Sequence, residues 1–161
     1  MANIENLRME ESVTVNAPQN ALYDMVSDIT RMGEWSPVCK KCWWDDGASL
    51  SVGSWFTGKN VTDEREWETR SEVVVATRPL EFAWMVGGAT EGYVRWGYRF
   101  ESVADGQTRV TESWQVVKAT ERIAAMDESQ ATALMERSKT GMQETLANLK
   151  RAAELVTASV S

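Results

Sequence analysis

What most constrains this chain is its last stretch, from Asp127 to about Val156, which has to lie against a broad apolar surface. Ala131, Leu134, Met135, Ser138, Met142, Thr145, Leu146, Leu149, Ala152, Ala153 and Val156 recur there at helical spacing. Glu136, Arg137, Lys139, Glu144 and Lys150 fall mostly on the other side. Asp127 and Gln130 have the spacing of a capping box, in which two side chains satisfy free amides of the first turn, so the helix is expected to start there. At about 1.5 Å per residue it runs on the order of 40 Å. For 161 residues that is long, and the preceding chain must supply the surface.

That preceding chain alternates. In residues 7–15, Val13 and Val15 share one side and Ser12 and Thr14 the other, with Glu11 on the valines' side. Asn16-Ala17-Pro18 ends this strand, and residues 19–27 and 29–34 read as two short helices closed by Trp35-Ser36-Pro37. A short strand over 38–44 stops at Asp45-Asp46-Gly47. In 54–61, Phe56, Gly58 and Asn60 oppose Trp55, Thr57 and Lys59, and the lysine marks its own side as wet. In 65–75, Trp67, Thr69, Ser71, Val73 and Val75 oppose four charged residues. Residues 80–86 group Leu80, Phe82, Trp84 and Val86; residues 92–102 group Val94, Trp96, Tyr98 and Phe100. After an Asp105-Gly106 hairpin turn, 107–117 put Val110, Glu112, Trp114 and Val116 inward.

The fold class that follows is α+β: a curved antiparallel sheet of six to seven strands wrapped around a long C-terminal helix, with two short helices after the first strand. Gly58, Thr69 and Ser71 on the sheet and Ser138, Gly141 and Thr145 on the helix are too small to fill the space between, which leaves room for a cavity. Gly141, unfavourable in mid-helix by about 1 kcal/mol, either permits a close approach or local opening or packs under a bulky tryptophan.

Charge and composition narrow the chemistry. A formal charge of −7 with no cationic run would repel nucleic-acid phosphates and anionic lipid heads. The chain has no histidine, which excludes imidazole-based triads, proton shuttles and the usual zinc sites. No stretch approaches the roughly 20 apolar residues of a membrane span, and the N-terminus lacks the apolar core of a signal peptide, so a cytoplasmic protein without membrane insertion is expected. Eight tryptophans and eight methionines suit either a heavy aromatic core or the wall of a cavity for a flat or flexible apolar ligand.

Four segments carry a resemblance: SVTVNAPQNALYDMVSDITRMGEWSP, VGSWFTGKN, WGYRF paired with TRVTESW across an Asp-Gly turn, and GMQETLANLKRAAE. Together, in this order and spacing, they resemble the polyketide cyclase/dehydrase branch of the START-like (SRPBCC) superfamily, with its helix-grip fold of the birch-pollen-allergen type. The likeness runs from about Glu11 to Glu154 and implies a single START-like ligand-binding domain over residues 1–161. It also implies a deep cavity between sheet and long helix. Its wall would hold Trp35, Phe56, Asn60, Trp67, Ser71, Trp84, Trp96, Tyr98, Glu112, Trp114, Leu134, Ser138 and Met142; by their own chemistry Glu112 and Tyr98 are the pair expected to handle protons.

The residues themselves bear on that expectation. A carboxylate on a dry face should have a raised pKa and act as acid or base, so Glu112 is the leading candidate unless a salt bridge or a bulge takes it outward. Tyr98 and Asn60 are suited to hydrogen-bond a carbonyl-rich ligand. Cys39-Lys40-Lys41-Cys42 has redox or half-zinc spacing, but strand alternation would send its two sulfurs to opposite faces, leaving free thiols. No metal and no cofactor are called for. The expected function is binding of a hydrophobic small molecule, lipid or polyketide-like, with polyketide cyclase/dehydrase activity as its catalytic form. The alternative is a non-catalytic protein-interaction or stress-response module using the same groove, a third reading is a pocket filled by its own tryptophans with no ligand, and a monomer or a homodimer suits any of them.

Overall fold

The alternating segments form seven strands of one antiparallel sheet in the computed structural model, which describes residues 3–160. The strands are β1 (Arg8–Val15), β2 (Cys39–Trp44), β3 (Trp55–Val61), β4 (Glu66–Thr77), β5 (Glu81–Val86), β6 (Val94–Ala104) and β7 (Gln107–Val116). Their order is β1-β7-β6-β5-β4-β3-β2, so β2 to β7 form a meander and β1 closes on its last strand. The chain crosses from one edge to the other through α1 (Gln19–Ser27) and a 3-10 helix over Ile29–Glu34. After β7 come a short α2 (Glu121–Ala124) and the long α3 (Glu128–Val160). No helix among the described residues is long and apolar enough to cross a membrane.

The capping box closes α3 as its spacing requires. The Asp127 amide donates to Gln130 Oε1 at 2.9 Å, and the Gln130 amide donates to Asp127 Oδ1 at 2.8 Å. From there α3 lies mainly along β1 and touches β7. From Met142 on it is seated deeply, with Met142, Thr145, Leu146, Leu149 and Ala153 all buried. Before Met142 only Ala131 is buried, while Leu134, Met135, Ser138 and Gly141 are half-buried.

Two cores result. The larger joins α1, the sheet centre and the second half of α3, with Tyr23 edge-on to Phe82 and Phe100. The smaller joins Leu7, Trp114, Val116, Ala131 and Met142.

Several expected positions move, each for a local reason. A β-bulge between Val73 and Val75 pairs Val75 with Ala83 and Ala76 with Phe82, so Ala76 takes the inward place alternation assigned to Val75. Leu80 lies in the turn before β5 and is 54% exposed rather than inward. Val156 is 56% exposed, because α3 has passed its last buried contact at Ala153. A Cβ on Gly141 would meet only Pro37 Cγ, at 3.9 Å, so neither a tight approach nor a tryptophan explains this glycine.

Candidate functional site

The inward side chains form rows across neighbouring strands. Trp84 faces Trp96, Trp96 faces Trp114, and Tyr98 faces Glu112, while on the other side Phe56 faces Ser71 and Asn60 faces Trp67. Trp84 stacks on Trp96 at 6.5 Å and on Tyr98 at 6.0 Å, and Trp96 tilts against Trp114 at 6.4 Å. This aromatic ladder is the inner face of the sheet's centre.

Glu112 sits in the middle of that face at 3% exposure. The Tyr98 hydroxyl donates to its Oε2 at 2.9 Å, and its Oε1 is buried with no hydrogen-bond partner. Among the described residues no arginine pairs with it, and it keeps its inward place opposite Tyr98. Burial pushes its pKa up to about 8, against the Tyr98 hydrogen bond, and the charge of Glu11, directly opposite on β1, adds to the rise. Burial also raises the Tyr98 phenol well above its ordinary value, reinforced by the Glu112 charge. Near neutral pH the favoured state is therefore a protonated carboxyl. With Oε2 accepting from tyrosine, the proton belongs on Oε1, which becomes a free donor inside the protein.

The inner face around this dyad is fully buried in one part and half-buried in another. Phe56, Ser71, Trp84, Trp114 and Met142 are buried, and two surface depressions are found among the described residues. One is lined by Arg8, Met9, Glu10, Arg95, Ser113, Trp114 and Gln115; the other by Asp24, Ser27, Asp28, Trp44 and Leu50. The centre of the inner face, where the small residues lead one to expect a cavity, is occupied by the buried side chains of Phe56, Trp84, Trp114 and Met142. Towards the first half of α3 the concave face is wetter: Trp67, Thr69 and Trp96 on the sheet and Leu134 and Ser138 on the helix are only half-buried.

Asn60, at 9% exposure, donates from Nδ2 to Thr69 Oγ1 at 3.2 Å, and the Arg65 guanidinium lies 3.8 Å from the Trp67 ring centroid. Trp35 lies in the larger core, its carbonyl accepting from Asn148 Nδ2 of α3 at 3.1 Å. Every residue named from the sequence as wall or catalytic pair thus belongs to the inner face, the helix or the segment under it. Trp35, Phe56 and Trp84 serve as core.

The cysteines depart from expectation. A bulge between Cys39 and Lys41 resets the alternation, so that Cys39 pairs with Asn60 and Cys42 with Gly58, both inward. Their sulfurs are 3.1 Å apart and buried instead of on opposite faces. Glu11 and Arg65 were not singled out as site residues, although the inward parity of Glu11 was visible in the sequence.

Residues 6–154 match the model of the family described as polyketide cyclase/dehydrase and lipid transport. No curated protein sequence matches the chain. Among solved structures, a polyketide-cyclase-like protein from Corynebacterium glutamicum is 42% identical, with a TM-score of 0.67 over 94% of this chain and 93% of that one. The Zhui aromatase/cyclase from Streptomyces sp. R1128 is 15% identical, with a TM-score of 0.71 over 91% and 93% of the two chains. Ara h 8.0201 is 14% identical, with a TM-score of 0.64 over 91% and 96%. At those lower identities the likeness bears on the fold alone. Its match over nearly the whole chain, with the helix-grip arrangement of sheet and α3, makes this protein a member of the polyketide cyclase/dehydrase and lipid transport family, within the START-like superfamily.

Proposed function

We propose that the chain acts as a single ligand-binding domain for a hydrophobic small molecule bearing a carbonyl, lipid-like or polyketide-like, and that Glu112 with Tyr98 moves a proton on it as a cyclase or dehydrase does. The ligand enters between the first half of α3 and the wetter part of the concave face, past Trp67, Trp96, Leu134 and Ser138. Its apolar body gains about 25 cal/mol for each Å² taken from water, and its carbonyl accepts from Glu112.

The observation that carries this reading is the buried, unpartnered Oε1 of Glu112. A polar atom left unpaired in an apolar interior costs about 1–3 kcal/mol, and a ligand oxygen relieves that cost. In the chemical step the Glu112 proton passes to the ligand's carbonyl or departing hydroxyl oxygen. The carboxylate so formed keeps the Tyr98 hydrogen bond and takes up a proton from the carbon next to the carbonyl, which restores the acid. Membership in a family that includes cyclases and dehydrases supports the reaction class.

Glu112→Gln tests it, since the amide keeps the shape and cannot transfer the proton. Turnover of a linear poly-ketone substrate should fall about 10²–10⁴-fold, while the response of tryptophan emission to that ligand persists. Equal turnover removes Glu112 from the chemistry. If the wild-type protein's emission ignores apolar ketones and acyl compounds at micromolar levels, the ligand reading fails, and a groove for a protein partner takes its place.

A further inference from the structure

A strand should not bring two cysteines of a C-x-x-C segment together, yet here it does. The bulge at Lys40 turns both side chains inward, and it is accommodated from both sides. On one side, Gly33 of the 3-10 helix lies so close to the Lys40 carbonyl that any Cβ would collide with its oxygen. On the other, a Cβ on Gly58 would stand 3.2 Å from each sulfur, so the bare glycine leaves them the space they occupy. Ser36 Oγ accepts from the amides of Val38 and Cys39 at 3.2 and 2.9 Å and fixes the entry to β2. The Cys42 sulfur also lies 3.7 Å from Met32 Sδ.

We propose that Cys39 and Cys42 form a redox-active dithiol, oxidised by a small hydroperoxide to an intramolecular disulfide on the inner face of β2. The sulfurs need only close from 3.1 Å to the roughly 2.05 Å of a bond. The two thiols are unequal. The hydrogen bond from Cys42 holds Cys39 below the ordinary thiol range, aided by the Lys40 charge and opposed by burial. That same bond and burial push Cys42 up. Cys39 is therefore the attacking group and Cys42 the resolving one.

The Cys39 thiolate attacks a peroxide oxygen, the O–O bond breaks, and the leaving oxygen takes up the thiol's proton as water or alcohol. Cys42 then attacks the sulfenic sulfur; the S–S bond forms, hydroxide leaves and takes the Cys42 proton as water. Two electrons pass from the thiols to the peroxide.

The test uses the unliganded wild-type chain and reads the thiols alone, so its outcome is separate from that of the ligand reading. After hydrogen peroxide, the intact mass should fall by two hydrogens, and both thiols should resist alkylation in denaturant until dithiothreitol restores them. Cys42→Ser should halt at a Cys39 sulfenic acid, one oxygen heavier and trapped by dimedone. Cys39→Ser should lose the disulfide without that adduct. Two freely alkylatable thiols in peroxide-treated wild-type protein overturn the proposal. So does direct passage to sulfinic acid, or a disulfide found only between chains.

Discussion

Glu112 couples the stability of the protein to pH with a definite sign. Its folded pKa of about 8 lies above the ordinary 4.5, so between those values the native state binds more protons than the unfolded chain. Its contribution is therefore full below about pH 4.5 and is lost as pH rises towards about 8, at a slope approaching roughly 1.4 kcal/mol per pH unit. Glu10, Asp24, Glu34 and Glu154 act the other way, because arginine or lysine partners or backbone donation depress them. Their stabilisation is lost as pH falls below the ordinary carboxylate range, in a separate window. Urea unfolding at about pH 5 and about pH 9 should show the wild type weaker at the higher value, with the difference much reduced in Glu112→Gln. An equal pH dependence in the variant would mean that Glu112 is ionised and solvated in the folded protein. Inward parity made Glu112 legible in the sequence. Its unpartnered oxygen was not, because that depends on which neighbour reaches it across a particular register.

Among the elements, α3 was the most readable, since both its stripe and its capping box are local patterns. Its C-terminal limit was less so: Leu155 and Val156 continue the apolar composition but are 64% and 56% exposed, beyond the surface that a helix stripe needs. The bulges in β2 and β4 were hidden for a related reason. Alternation assumes a uniform pleat, and one extra residue reverses every face that follows, as it does for Cys42 and Ala76. Gly141 offers a measurement at this scale. Its Cβ position is open save for Pro37 at ordinary contact distance, so Gly141→Ala gains helix propensity without a clash. The variant should be more stable by about 1 kcal/mol, read as a raised urea midpoint with unchanged m. A destabilised variant would show instead that α3 needs local freedom there.

At the scale of the whole molecule, the tryptophans divide between the packed interior and a more exposed stretch of the inner face. Trp35 and Trp84 fill the larger core, whereas Trp67 and Trp96 line the part of the concave face that water reaches. Sequence could not apportion them, because occupancy of the centre depends on how rings from three strands interlock. From Met142 on the helix is seated deeply on the sheet, and before it the inward residues are less buried, which is where the proposed ligand would enter. Ser138 is the position that tests this geometry. It is half-buried, one turn before buried Met142 and one after half-buried Leu134, so a large side chain there occupies the groove without displacing the core. Ser138→Trp should lower affinity for an apolar ketone at least tenfold by calorimetry while leaving the melting temperature nearly unchanged, since serine and tryptophan differ little in helix propensity. Lys139→Trp, on the exposed side of the same turn, should bind as the wild type does. Wild-type affinity in Ser138→Trp would put the guest somewhere other than between α3 and the sheet, and the Glu112 oxygen would then have no ligand to meet.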